Sequence, residues 1–478
     1  MLFAWVGIFI GFSQAEAQQA RVYGQITEVD GSPVVGASIS IENTTLGSSS
    51  DVEGRYELTG LDAGRYTLLF RSLGYEPEQQ DISLDDAEQL ELNVTLEPQE
   101  YAMQQVEVLG RRERSYKNNS TFSLSRTEMR VSELPQSVSF VTKELIEDQN
   151  AYRLNDVLGN IAGANTFSTY DDITIRGFRN SGNVRLLNGM RYVSNFWTSP
   201  LLVNIERVEV VKGPSSVTFG NASPGGTINL VTKKPLNRDR AALSFSFGSF
   251  NRLRTTADLT GPLGDEGRLL YRLNVGYEDS ESFRDQMFYK TLAIAPSLSY
   301  VPNEGTRLNI DLSYYDNNTL LDRGRPTLRN DEDLLSVPVE LNVAQPGDVL
   351  NPETFAATLS LNHQFSDRLD FNVNLSRFKE ERVLKEHRTN NSYLSDSEIG
   401  LAYVHRTTQS VAENLSSFFT LRFETGALQH QVIAGADYAR YDETRNQLSN
   451  GSVGSFDLLN PENRLRDISS YDLQPAFS

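Results

Sequence analysis

The 478-residue chain has no cysteine, four histidines and two tryptophans. Without cysteine, disulfide scaffolds, thiolate metal sites, thiol catalysis and a lipid-modified N-terminal cysteine are excluded. The histidines (His363, His387, His405 and His430) stand far apart, with no metal-ligand spacing. Positive charge is scarce: 44 Lys+Arg face 63 Asp+Glu, a net charge of -19. That balance weighs against nucleic acid as a partner. No apolar run approaches the ~18–20 residues of a membrane helix. A transmembrane β-barrel stays open, because only every second strand residue faces lipid and the sequence can look polar overall.

The start of the chain has an apolar run over residues 2–12, then Ala15-Glu16-Ala17. Together these read as a signal peptide over residues 1–17, although the usual basic n-region is missing. Residues 22–26, 37–41, 54–58 and 66–70 are short apolar or alternating runs. Turn signals such as Asp30-Gly31-Ser32-Pro33 and Asp62-Ala63-Gly64 separate them. Short strands at this spacing predict a β-sandwich over residues 18–97. Residues 98–120 form a polar connector holding the apolar-alternating Val106, Glu107, Val108 and Leu109. Such a segment suits addition to a partner's sheet edge.

From residue 121 to about 235, helix and strand patterns mix. Helices are expected over 143–150 and 154–161, a strand ending in a glycine turn over 172–178, and strands over 205–211 and 227–232. The glycine-rich stretch 213–226 has no GK[ST] after it and opens no helix with G-x-G-x-x-G, so a nucleotide-phosphate reading fails. Beyond residue 236 the pattern becomes long amphipathic strands. Leu369, Phe371, Val373 and Leu375 alternate with Asp370, Asn372, Asn374 and Ser376. Tyr271, Leu273, Val275 and Tyr277 alternate with Arg272, Asn274 and Gly276, and Leu308, Ile310 and Leu312 with Asn309, Asp311 and Ser313. This is the outward-apolar, inward-polar pattern of a membrane barrel. About ten strands are expected, with short turns near 262–267, 302–305, 366–367 and 425–427. Longer connections are expected near 317–352, 386–398 and 443–467. The acidic 317–352 connection reads as a solvated gating loop.

Two stretches resemble known families. GQITEVDGSPVVGASISIENTTLGSSSDVEGRYELTGLDAGRYTLLFRSLGY is similar to the carboxypeptidase-regulatory-like domain, a seven-stranded transthyretin-like fold without catalysis. ELPQSVSFVTKELIEDQNAYRLNDVLGNIAGAN, DDITIRGF, VRLLNGMRY and NIERVEVVKGPSSVTFGNASPGGTINLVTKKP resemble the plug of TonB-dependent outer-membrane receptors, in wording closest to the siderophore-receptor branch. The fold class this implies is mainly β. It comprises a transthyretin-like sandwich, a small α+β plug over 121–235 and a partial antiparallel transmembrane β-barrel over 236–478. Family barrels have 22 strands, so the C-terminal part is expected to be missing.

The resemblance implies a receptor and not an enzyme. The expected function is uptake of a ferric siderophore across the outer membrane of a Gram-negative bacterium, coupled to the proton-motive force. The partners implied are the TonB-ExbB-ExbD complex, the ferric siderophore and outer-membrane lipid, with no nucleic acid. No cofactor or protein-bound metal is implied, since the siderophore carries the iron. The N-terminal domain falls on the periplasmic side, and Val106, Glu107, Val108 and Leu109 take the position of the TonB box. Import of a glycan or another bulky nutrient, or a surface structural or adhesion barrel, are the alternatives.

Tyr170, Arg191, Tyr192, Phe196 and Trp197 are the candidate ligand contacts, because aromatic faces and a cation suit a bulky anionic chelate. Packing inside the plug is the other reading for Tyr192 and Phe196. Arg176, Gly177, Arg207, Glu209, Gly213, Gly220, Gly225 and Gly226 are expected to build the plug. Arg176 and Arg207 need carboxylate partners wherever they are buried. Glu206, Glu209 and inward barrel acids such as Asp311 are possible mates.

Overall fold

The computed structural model describes residues 20–96 except 29, 30, 43, 45 and 73–77, ten residues between 97 and 136 (116, 118, 120, 121, 126, 129–131, 134 and 136), and residues 137–477 except 169, 181–184, 193–196, 200, 214–222, 265, 266, 304, 331–334 and 427. The expected signal peptide, the segment Val106–Leu109, Phe196 and Gly220 lie outside the described residues. The chain divides into two compact units, Met1–Tyr101 and Ala102–Ser478.

The first unit is a sandwich of β1 (Ala20–Thr27), β2 (Ser38–Ile41), β3 (Gly47–Ser49), β4 (Arg55–Leu61), β5 (Gly64–Arg71), β6 (Glu78–Leu84), β7 (Gln89–Glu91) and β8 (Val94–Thr95). One sheet runs β4-β1-β7 with β8 also on β1, and the other runs β3-β2-β5-β6. That is eight strands among the described residues, where the family resemblance implied seven. Strand alternation turns Val22, Ile26, Ile39, Leu68 and Phe70 inward, each fully buried. Tyr56 meets Phe70 edge-to-face at 5.4 Å. Ser50 is the one buried polar side chain among this unit's described residues. Its hydroxyl donates to Val34 O at 2.7 Å and accepts from Ala37 N at 2.8 Å, so it costs little.

The second unit opens with a short hairpin, β9 (Ser120–Thr121) and β10 (Met129–Arg130). Then come β11 (Ser137–Thr142), α1 (Lys143–Asp148), α2 (Leu154–Val157), β12 (Ala164–Thr166), β13 (Ile173–Ile175), β14 (Phe178–Asn180), β15 (Arg185–Leu187), β16 (Met190–Tyr192), β17 (Ile205–Lys212) and β18 (Gly226–Thr232). These form a five-stranded mixed sheet ordered β11-β17-β18-β15-β16 and a three-stranded sheet β12-β13-β14. The helices are shorter than the sequence pattern suggested. A left-handed Asn150 ends the turn after α1, and α2 tightens into a 3-10 turn over Leu158–Asn160. Asp156 accepts from the backbone N–H of Arg153 and Tyr152, both at 2.8 Å, and so fixes the start of α2.

Two tight hairpins explain recurring phrases in this segment. Arg176 and Gly177 (φ 51 and 82) join the paired Ile175 and Phe178. Asn188 and Gly189 (φ 51 and 77) join the paired Leu187 and Met190. Positive φ at both central residues is the two-residue turn whose twist matches paired strands. Residues 172–178, expected as a strand ending in a glycine turn, are Ile173–Ile175 followed by this turn.

Beyond residue 236, the strands of the described residues form one eleven-stranded antiparallel sheet. Its strands are β19 (Arg240–Gly248), β20 (Arg252–Leu263), β21 (Leu269–Glu281), β22 (Phe288–Asn303), β23 (Thr306–Thr319), β24 (Val349–Ser366), β25 (Leu369–Tyr393), β26 (Glu398–Thr425), β27 (Leu428–Asn450), β28 (Ser455–Asp457) and β29 (Gln474–Phe477). The dyad pattern is visible in burial. On β21, Arg272, Asn274 and Glu278 are buried, while Leu269 and Tyr277 are exposed. On β25 the outward residues Leu369, Phe371, Val373 and Leu375 give way to Arg377, Lys379 and Glu381. Six residue steps at ~3.3 Å make that apolar stretch about 20 Å long, the scale of a barrel's lipid band.

Three expected connections differ. Residues 386–393 continue β25, and residues 443–450 continue β27, instead of forming long loops. The 320–348 connection is not simply solvated: Val337, Leu341 and Val343 pack with Ile399, Leu401, Phe456 and Leu458 in an apolar cluster. Asn463 pins it further, donating to Asn342 O and Ala344 O at 2.9 and 2.6 Å.

Candidate functional site

The α+β segment 137–232 packs against one face of the long sheet, and the seam between them is polar. Arg153 pairs with Glu278, which also accepts from Arg254 Nε at 2.8 Å. Lys233 reaches Asp258 at 3.3 Å, and Arg272 grips the same carboxylate through two nitrogens at 2.7 and 2.8 Å. Lys234 meets Asp311 at 2.6 Å. The Tyr315 hydroxyl donates to Asn204 at 2.7 Å, and Asn414 donates to Arg191 O at 3.0 Å. A small apolar ridge interrupts this seam. Ala356, Phe378 and Ala412 stand in register on three strands, and Tyr192 meets Phe378 edge-to-face at 5.4 Å. Burial pushes the Tyr192 phenol well above its ordinary pKa.

Inside the segment, the apolar core holds Val141, Leu154, Val157, Ile173, Ile175, Val208, Val210 and Ile228. Through this core run buried ion pairs. Arg207 Nε donates to Glu209 at 2.8 Å, and Thr121 and Asn229 donate to the same carboxylate at 3.0 and 2.7 Å. Arg185 and Asp171 pair with both side chains fully buried. Burial lowers the Arg185 pKa to about 10, which leaves it charged at neutral pH. Gly225 and Gly226 lie where no side chain fits: an added Cβ would stand 2.2 Å from Ile175 O and 2.3 Å from Val211 O respectively. Gly213 takes φ 102, and its Cβ direction faces Arg176.

The sequence candidates separate into groups. Tyr170 and Trp197 come together at one end of the segment, packed on Leu321, Leu350 and Leu384. The Trp197 ring lies beside two guanidiniums of the sheet, Arg382 at 4.6 Å and Arg406 at 5.3 Å. Arg323 donates to the Tyr170 hydroxyl at 3.4 Å and pairs with Glu386 at 2.5 Å. Tyr192 is instead at the interior ridge, and Arg191 sits beside it on β16. Arg176 is an exposed turn residue, not a buried cation, and no ion pair to it is seen among the described residues. Asp311 and Glu206 pair with Lys234 and Lys143, not with an arginine.

Arg382, Arg406 and Arg323 are contacts that the sequence reading missed. For Arg382 the signal was available: extending the β25 alternation past Phe378 places Glu380, Arg382, Leu384 and Glu386 on the inward face.

Residues 130–227 match the TonB-dependent Receptor Plug Domain family, and residues 22–108 match the CarboxypepD_reg-like domain family. The chain belongs to the TonB-dependent receptors. As in that family, the α+β segment is the plug and the long sheet is barrel wall, and the receptor is a protein of the outer membrane. The metal-pseudopaline receptor CntO of Pseudomonas aeruginosa is 33% identical over 334 residues, covering 68% of this receptor and 46% of CntO. The ferrichrome outer membrane transporter/phage receptor of Escherichia coli K12 is 26% identical over 391 residues, covering 74% of this receptor and 51% of the relative. The receptor spans about half the length of the curated relatives it matches. Among solved structures, the closed form of the ferric-catecholate import receptor Fiu from E. coli K12 superposes with TM-score 0.67 at 21% identity, covering 75% of this receptor and 54% of Fiu. The pyoverdine receptor FpvA of P. aeruginosa PAO1 gives 0.66 at 22% identity, with coverages of 75% and 54%. These relatives are transport receptors, not enzymes.

Proposed function

We propose that this receptor takes a metal–siderophore complex, a ferric one in the first instance, across the outer membrane, with TonB-ExbB-ExbD supplying the force. The observation that carries this reading is the plug apex. There the aromatic Trp197 and Tyr170 stand beside the wall cations Arg382, Arg406 and Arg323. Aromatic faces and guanidiniums suit a bulky chelate of negative charge. Relatives named for metal-pseudopaline, ferrichrome and catecholate siderophores support the same class. The metal is cargo, held by the ligand.

In this reading residues 1–17 are a signal peptide, the sandwich works in the periplasm, and residues 98–120 are the linker. Val106–Leu109 is the TonB box, pairing by its main chain with the edge of TonB's sheet. The CarboxypepD_reg-like match runs to residue 108, so box and domain boundary overlap. The eleven-stranded sheet is part of a barrel wall, and its edge strands take further pairing, since lipid leaves no backbone group unsatisfied.

The test uses the gene in its own host. Deleting it should abolish uptake of one radiolabelled metal–chelate under iron limitation. Removing residues 106–109 alone should do the same while leaving the chelate bound at the cell surface. Unchanged metal uptake, with loss of growth on an oligosaccharide, would replace the siderophore reading with a glycan one.

A further inference from the structure

We infer that the ligand presents free carboxylates to the wall, and that Arg382 and Arg406 receive them. The inference rests on the uptake reading above and adds the chemical class of the chelate: a polycarboxylate complex of net negative charge.

The first observation is a local inversion of charge. The chain as a whole carries -19. Strand registers pair Arg382 with Thr408, Thr408 with Arg445, and Arg406 with Gln447, which places these side chains on one face. Glu380, Glu386 and Arg388 share that face by two-residue alternation, as does Glu443 on β27. Arg323 joins them through Glu386. Five arginines therefore face three glutamates, an excess of two positive charges beside the plug apex. A cleft lined by one sign of charge concentrates ligands of the other.

The second observation is how the two arginines are held. The Cζ atoms of both guanidiniums stand over the Trp197 ring, 4.6 and 5.3 Å from its centroid. A cation–π contact of this kind positions a guanidinium for a bidentate carboxylate. Arg382 is 8% exposed, donates to Glu380 at 3.0 Å, and its Nε is a buried donor without a hydrogen-bond partner. Such a donor is costly to leave unmade. Arg406 Nε donates to the neutral amide of Gln447 at 2.6 Å, an acceptor that a carboxylate outcompetes.

Two guanidiniums held over one ring suit pairs of carboxylate oxygens. A trihydroxamate complex offers no anionic oxygen beyond those on the metal. A tris-catecholate is anionic, but its charge lies on the phenolate oxygens that bind the metal.

The experiment uses the full chain folded in detergent, with Trp5→Phe so that Trp197 is the single fluorescent reporter. Three probes are titrated, with and without iron: ferric citrate, a ferric trihydroxamate and a ferric tris-catecholate, the latter two lacking free carboxylates. Retention of radiolabelled iron is measured in parallel. Ferric citrate should quench Trp197 saturably and bind at least tenfold tighter than either other probe. Arg382→Gln and Arg406→Gln should each raise its Kd by about tenfold or more, and Arg406→Lys by less. Near-ultraviolet circular dichroism confirms that the variants stay folded. Equal or tighter binding of the trihydroxamate or the catecholate complex overturns the carboxylate assignment and leaves the uptake reading standing. An unchanged Kd in both folded glutamine variants overturns it too. Binding of none of the three would count against the uptake reading, and this inference would fall with it.

Discussion

The sandwich and the plug bury their contents by opposite rules. Among the described residues of the sandwich, the buried side chains are apolar apart from Ser50. In the plug and along its seam with the wall, Asp171, Asp172, Arg185, Arg207, Glu209, Asp258, Arg272 and Glu278 are all buried. An apolar core parts only by exposing surface to water, at roughly 25 cal/mol per Å². Ion pairs beside a wet lumen can exchange partners for water at far lower net cost, because their net contribution is small to begin with. The difference separates a body held by apolar burial from one held by contacts that can be remade in water.

That comparison breaks first at Arg185. Replacing it by Met leaves Asp171 charged, buried and unpaired. The cost should be about 3–5 kcal/mol of plug stability. Hydrogen exchange on the full chain should show lost protection in the strands around β15, Ile228 and Leu230, with the sandwich unchanged. The double replacement Asp171→Leu with Arg185→Met should restore most of the protection, since an apolar pair of similar volume is often tolerated where a broken pair is not. A single replacement without effect would mean that the pair is hydrated in solution.

The opposite arm is Leu68→Ala in the sandwich, where Leu68 is fully buried on β5. It should cost about 2–5 kcal/mol through lost transfer energy and the cavity left behind. The loss should be confined to strands β1 to β8. Loss of protection that spread into the plug would show the two units to be thermodynamically coupled.

These two regions were also unequally legible. Val22, Ile39, Leu68 and Phe70 could be placed inward from alternation alone, because a two-sided sandwich needs nothing more than period two. The wall was legible for the same reason. The plug's short strands were harder. Ile173–Ile175 and Phe178–Asn180 are too short for a period to show, and the turn between them depends on Arg176 adopting positive φ. The partners of Asp171, Glu278 and Lys233 were not legible at all, since charge pairing joins positions 14, 125 and 25 residues apart with no local signal. At the apex, Trp197 could be singled out as a rare residue in a loop. Its neighbour Arg382 becomes visible only when the inward parity of β25 is carried past Phe378, and Arg406 only through the register of β26 on β25.

The smallest expected effect sharpens the comparison through pH. Lys143 at the start of α1 meets Glu206 on β17 at 2.5 Å, with both side chains mostly buried. Burial alone would raise the Glu206 pKa, but the charge and hydrogen bond of Lys143 outweigh it and hold the carboxyl below its ordinary value of 4.5. A carboxylate with a depressed folded pKa contributes stability above its unfolded pKa and loses it as pH falls through the folded one. Hydrogen-exchange protection of Lys143–Asp148 and Ile205–Lys212 should therefore begin to fall as pH drops below about 4.5 and keep falling through the folded pKa. Lys143→Met should remove this part of the acid response by raising the Glu206 pKa toward or above the unfolded value. The described sandwich core holds no buried carboxylate, so its protection should stay flat over the same interval. A sandwich that loosened first would show that polar burial does not set the order in which the two units yield to acid.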